Sequence, residues 1–139
     1  MRSRRERTAQ ARPALLELLR THSYEKKTVT LASGRTSDFF IDCKRTVLRA
    51  DGHALTSELM LDALRQWPGI KAVAGVAIGG CPLASGVSTM SHVRGRPLDA
   101  LYVRKERKDH GSQRMIEGNF DHGMGVVLIE DVVTTGGSS

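Results

Sequence analysis

Gly125-Val126-Val127-Leu128-Ile129-Glu130-Asp131-Val132-Val133-Thr134-Thr135-Gly136-Gly137-Ser138-Ser139 is the stretch that decides the fold. Its apolar run shows no alternation, as expected of a strand covered on both faces in a parallel sheet. The run stops at two adjacent carboxylates, followed by hydroxyls and glycines. In open parallel sheets, ligands bind outside the carboxyl ends of strands, which is where this polar segment falls. Upstream, Ala72–Ile78 is a second continuous apolar run. Gly79-Gly80-Cys81-Pro82 follows it, and Leu83, Val87 and Met90 continue at helical spacing. Pro82 suits a first helical turn, where no intrahelical N–H bond is needed. Leu98–Arg104 predicts a further strand. Strand, helix, strand in that order implies a right-handed parallel crossover, and the class is α/β.

The N-terminal part has a different character. Ala11, Leu15, Leu18, Leu19 and His22 share one face of a helix predicted over Ala9–His22. Thr28–Leu31 and Asp38–Cys43, short extended stretches around the turn Ser33-Gly34-Arg35, predict a small antiparallel element. Asp51 opens a helical pattern through Leu55, Leu59, Ala63 and Trp67, which Pro68-Gly69 ends. The expected organisation is a single domain with an N-terminal helix and α+β element over residues 1–50 and an incomplete α/β core over residues 51–139.

At 139 residues the chain is about one domain, and its 40% apolar and 26% charged residues are ordinary soluble composition. No apolar run approaches the roughly 20 residues that span a bilayer, and no hydrophobic core follows the basic N-terminus. Membrane insertion and secretion are therefore not expected. Cys43 and Cys81 form no CxxC pattern, so the expected compartment is the reducing cytoplasm and both thiols are read as inert apolar residues. The net charge is +6, of which Arg2, Arg4, Arg5, Arg7 and Arg12 against Glu6 supply +4 in the first twelve residues. That run reads as a solvated helix start or frayed tail. Six aromatic residues are too few for a stacking surface, so nucleic acid is not an expected partner. His22, His53, His92 and His122 lack metal-ligand spacing.

The chemistry of the 125–139 string is specific. Glycines let a backbone approach a phosphate closely, while Thr and Ser hydroxyls and N–H groups donate to it. Glu130 and Asp131 suit ribose hydroxyls or a hard cation such as Mg²⁺. A sugar phosphate satisfies both halves at once. Gly75–Pro82 superficially has the GxxxxG of a nucleotide P-loop, but Cys81 and Pro82 stand where Lys and Ser/Thr are required. A Walker-type NTPase is excluded.

The string resembles the phosphoribosyl-pyrophosphate (PRPP) motif of type I phosphoribosyltransferases. Arg104-Lys105-Glu106-Arg107-Lys108-Asp109-His110-Gly111 resembles the mobile catalytic loop of orotate phosphoribosyltransferases, with their RKxxKDHG pattern. Thr30–Phe40 resembles the same family's N-terminal substrate segment. The three ordered matches run from about residue 28 to residue 139. The resemblance implies a type I phosphoribosyltransferase-like parallel sheet flanked by helices. It also implies transfer of ribose 5-phosphate from PRPP to orotate in pyrimidine synthesis, with Mg²⁺ carried by PRPP near Glu130 and Asp131. Glu130, Asp131, Val132, Val133, Thr134, Thr135, Gly136, Gly137 and Ser138 would hold PRPP, with Gly79 and Gly80 on its diphosphate. Arg104, Lys105, Lys108 and His110 would be catalytic, opposing the charge that develops on departing pyrophosphate. Phe39 and Phe40 have a plain core reading, and in the family such residues stack on the planar base. A homodimer whose loops close over the partner's site is implied as well.

The sequence also departs from the family. Ala32 and Gly80 stand where lysines are frequent, which removes two cationic contacts. The string ends inside its motif, before the helix that should hold the 5′-phosphate. The arginine resembling an orotate ligand in relatives has no counterpart, so the C-terminal part of the fold is expected to be missing and this chain alone to be inactive or self-associating. Two alternatives remain: another purine or pyrimidine phosphoribosyltransferase, and a non-catalytic PRPP-sensing nucleic-acid-binding regulator.

Overall fold

The computed structural model describes residues 2–106 and 114–133. It divides into two units, Met1–Leu59 and Met60–Ser139.

The first unit opens with α1 (Arg4–His22). Charged residues do not delay this helix, because Ser3 and Glu6 form a capping box. Ser3 Oγ accepts from the Glu6 N–H, and the Ser3 N–H donates to Glu6 Oε2 at 2.7 Å. The arginine run is thus the helix start rather than a frayed tail. Arg7 is also tied down, its Nε donating to Glu58 Oε1 at 2.9 Å. As the periodicity requires, Ala11 is buried and Leu15, Leu18, Leu19 and His22 are half-buried.

Four two-residue strands follow: β1 (Tyr24–Glu25), β2 (Val29–Thr30), β3 (Thr36–Ser37) and β4 (Phe40–Ile41). Both pairings are antiparallel, but the expected partners are corrected. β2 pairs with β3 and β4 pairs with β1, so the 28–31 and 38–43 stretches do not pair with each other. Gly34, at φ +81°, makes the tight β2–β3 turn possible. Helix α2 (Lys44–Val47) is anchored through Thr46 Oγ1, which lies 2.6 Å from Ser23 Oγ in a buried pair.

Helix α3 (Ala50–Ala63) crosses the boundary between the units and ends in a 3₁₀ turn, Leu64–Gln66. Its buried positions are corrected too. Thr56, Ser57, Glu58, Leu61 and Leu64 are inside, Leu55 and Leu59 are half-buried, and Ala63 and Trp67 are exposed. Arg7 explains how the carboxylate of Glu58 tolerates burial.

The second unit is a four-stranded sheet in the order β7-β6-β5-β8. Strands β5 (Ile70–Val76), β6 (Asp99–Val103) and β8 (Gly125–Ile129) are parallel, in register at Gly75↔Tyr102 and Gly75↔Ile129. The sheet is mixed, because β7 (Ile116–Glu117) adds antiparallel to β6. Helix α4 (Gly80–Val93) starts as the glycines and Pro82 indicate and packs on β5 and β6. One sheet face is filled by Ala72, Ala74 and Leu101 with Val103, Ile116, Met124 and Val126. The β5 strand ends two residues before the predicted Ile78, which is 83% exposed.

Candidate active site

Parallel register makes the three main strands end together, so the segments after them meet at one edge. Gly79 and Gly80 follow β5, Arg104 and Lys105 follow β6, and Glu130 and Asp131 follow β8. These are the positions from which an open α/β sheet binds ligands.

Three glycines set how closely the first and last of these segments approach. A Cβ on Gly79 would lie 2.1 Å from Asp131 Oδ2, so Gly79 packs directly against that carboxylate. A Cβ on Gly80 would lie 2.5 Å from the Ile129 carbonyl oxygen, and one on Gly75 would lie 2.2 Å from the Gly80 carbonyl oxygen. The β5–α4 turn therefore sits on the end of β8 without space for side chains. At Gly80 even a Cβ would require the backbone of β8 to shift. The start of α4 supplies backbone N–H groups and the positive end of a helix of 14 residues, which suits an anion.

The carboxylates differ in setting. Asp131 is exposed, whereas Glu130 is half-buried and its Oε2 is enclosed without a hydrogen-bond partner among the described residues. A buried carboxylate oxygen without a donor is costly, and a ligand hydroxyl or cation would relieve it. Val132 and Val133 are exposed. Thr134, Thr135, Gly136, Gly137 and Ser138 lie outside the described residues.

The basic segment leaves from the β6–β7 arm. The Arg104 N–H donates to the Met115 carbonyl at 2.8 Å, extending that pairing, and Arg104 Nε donates to Glu117 Oε1 at 2.9 Å. Lys105 is exposed. Lys108 and His110 lie outside the described residues. A cavity of about 400 Å³ borders the arm, lined by Arg114, Met115, Ile116, Gly118, Phe120 and His122. Reasoning from sequence missed Glu117. The only signal for Glu117 was one apolar–polar pair before a glycine, too short to mark a strand.

Phe39 and Phe40 belong to the first unit and are 45% and 38% exposed, which removes their core reading. Ser37 Oγ donates to the Phe39 carbonyl at 2.9 Å and holds this corner. The Phe39 ring stacks on Tyr24 at 6.1 Å, and Lys27 Nζ lies 4.9 Å above the Phe40 ring. The result is a small exposed aromatic platform with a cation over it. Cys43 is exposed, contrary to its reading as a packed apolar residue. Cys81 is buried, and desolvation pushes its thiol pKa up.

No family model matches the chain. A curated orotate phosphoribosyltransferase of Sorangium cellulosum is 61% identical over 133 residues, covering 94% of this chain and 69% of the relative. One from Bradyrhizobium sp. (strain BTAi1) is 41% identical over 133 residues, covering 93% of this chain and 71% of the relative. Among solved structures, the orotate phosphoribosyltransferase of Mycobacterium tuberculosis H37Rv in complex with Fe(III) dicitrate superposes with a TM-score of 0.74 at 40% identity. That match covers 91% of this chain and 70% of the other. The same organism's enzyme in complex with PRPP gives a TM-score of 0.67 at 32% identity, over 93% of this chain and 63% of the other. With identity of this extent and a shared fold, the chain belongs to the orotate phosphoribosyltransferase family.

Proposed function

We infer that this chain transfers ribose 5-phosphate from PRPP to orotate, giving orotidine 5′-phosphate and pyrophosphate in pyrimidine synthesis. The observation that carries the reading is the meeting of three strand ends, where Gly79 packs directly on the Asp131 carboxylate. A diphosphate faces the N–H groups at the start of α4 while its ribose hydroxyls reach Glu130 and Asp131. Thr134, Thr135, Gly136, Gly137 and Ser138 take the 5′-phosphate, with Val132 and Val133 leading into them.

Orotate nitrogen is the nucleophile, so no serine, cysteine or histidine nucleophile is needed. The bond from the ribose anomeric carbon to the diphosphate breaks, its electron pair leaving with pyrophosphate, as the bond to orotate nitrogen forms and the proton of that nitrogen is released to pyrophosphate or solvent. Negative charge gathers on the departing pyrophosphate, and Arg104, Lys105, Lys108 and His110 oppose it. Catalysis is positioning and charge stabilisation. The exposed Phe39 and Phe40 rings offer a stacking surface for a flat base.

A divalent cation fits this donor set as a group carried by the substrate. The enclosed Glu130 Oε2 and the exposed Asp131 offer carboxylate oxygens, yet no cluster of three metal-ligating side chains occurs among the described residues. Mg²⁺, when bound, would neutralise diphosphate charge beside these two carboxylates.

We also propose a homodimer in which residues 104–111 of one subunit complete the partner's site. We also propose a cytoplasmic location, which the two free thiols Cys43 and Cys81 suit. The deciding experiment is pyrophosphate release from PRPP, measured on a version extended to the length of the curated relatives, with orotate, uracil or a purine as acceptor. Release with orotate alone supports the reading; release with another base assigns the site to another phosphoribosyltransferase. PRPP binding without turnover, together with steeply salt-dependent affinity for nucleic acid, would favour a regulator.

A further inference from the structure

Four side chains of the second unit lie in a row on the sheet face that α4 covers. Ser85 Oγ, on α4, is 2.5 Å from Tyr102 Oη, on β6. Tyr102 is in register with Gly75 on one side and Glu117 on the other, and residues paired across a ladder share a face. Arg104 lies two residues beyond Tyr102 and returns to that face. Its Nε then donates to Glu117 Oε1 at 2.9 Å. The row runs from the helix that begins at the diphosphate turn to the root of the basic segment.

An exposed ion pair contributes little to stability, and these two side chains are 37% and 41% exposed. Its consequence lies in orientation. Arginine is long and rotamer-rich, so a free guanidinium would have to be ordered when the charge of the leaving group develops. Binding through Nε fixes the guanidinium plane and leaves both Nη groups outside that bond.

We propose that Glu117 is a positioning residue, which holds the Arg104 guanidinium in the orientation that receives departing diphosphate. The inference rests on the phosphoribosyl-transfer reading. Tyr102, braced by Ser85, fixes the register of the arm on which Glu117 stands.

The test compares E117A, E117Q, R104A and the double variant E117A/R104A in a version extended to the length of the curated relatives, which is the parent. E117A should lower kcat roughly tenfold, with the KM for orotate and the melting temperature nearly unchanged. E117Q should retain most of the rate, because its amide oxygen still accepts from Nε. The double variant should be no slower than R104A alone, since Glu117 acts through Arg104. Losses that multiply, an unchanged kcat in E117A, or E117Q failing as badly as E117A would each overturn the proposal. Calorimetric affinity for magnesium pyrophosphate, measured on the same four variants, tests the coupling without any base. Lack of orotate turnover in the parent would refute the functional reading, whereas additive pyrophosphate losses would refute the role of Glu117.

Discussion

Gly79→Ala should separate ligand binding from folding. The new Cβ would begin 2.1 Å from Asp131 Oδ2, 2.2 Å from Cγ and 2.5 Å from Oδ1, where ordinary contact starts at 3.4 Å. The carboxylate must therefore retreat by about 1.3 Å, more than a hydrogen bond tolerates. Asp131 is exposed and its side chain is free to turn, so the fold itself loses little, about 1 kcal/mol or less. A ribose hydroxyl bonded to that carboxylate would lose a charged hydrogen bond, worth about 1.5–3 kcal/mol. The expected outcome is magnesium-PRPP affinity weakened about ten- to hundredfold, with the melting temperature nearly unchanged. Gly75→Ala and Gly80→Ala are the contrast, because their clashes are with backbone and cannot be relieved by a side-chain rotation. Those two should lower the melting temperature itself. Calorimetric titration with magnesium-PRPP beside thermal melts reads both quantities. Unchanged PRPP affinity in Gly79→Ala would refute the placement of ribose at Asp131, and so would an affinity loss no larger than the loss of fold.

Asp131→Asn keeps the shape but removes the charge, and it should weaken magnesium-PRPP binding strongly while the strand stays folded, again by calorimetry. Lys105→Ala or Lys108→Ala should cut turnover at least about tenfold and leave orotate affinity nearly intact. Mixing the double lysine variant with Asp131→Asn should restore activity if subunits share sites, and verified mixed dimers without activity would exclude sharing. With a thiol reagent, Cys43 should react quickly and Cys81 slowly, because burial favours the protonated form of Cys81. Its folded thiol pKa lies above the ordinary 9.0, so the associated stability is complete below that value and is lost as pH rises through the folded pKa. Alkaline melts should show the decline, and Cys81→Ala should reduce it.

How much of this was legible in the sequence follows from segment length. β5, β8 and the start of α4 were readable because a buried parallel strand is a continuous apolar run and a glycine-proline sequence marks a turn into a helix. The small hairpins were assigned the wrong partners because a two-residue strand carries no periodicity to fix its register. β7 escaped notice for the same reason. The start of α1 was hidden by its arginines, although Ser3 and Glu6 already had the capping spacing. At the site, Gly79, Gly80, Glu130 and Asp131 could be nominated from strand-end logic. Close packing of Gly79 on Asp131 could not, since it depends on the register between β5 and β8.

The brevity of β7 has a consequence for how copies of this chain meet one another. It forms one flank of the sheet, and a flank normally offers a ladder of N–H and C=O groups on which a foreign strand can grow. Here the ladder is two residues long and carries the charge of Glu117. It ends at Gly118, whose φ of +111° turns the backbone out of the extended conformation. On β7 itself a second chain could add only two residues before losing its template. The arm that carries the basic segment thereby also guards that flank against intermolecular strand addition.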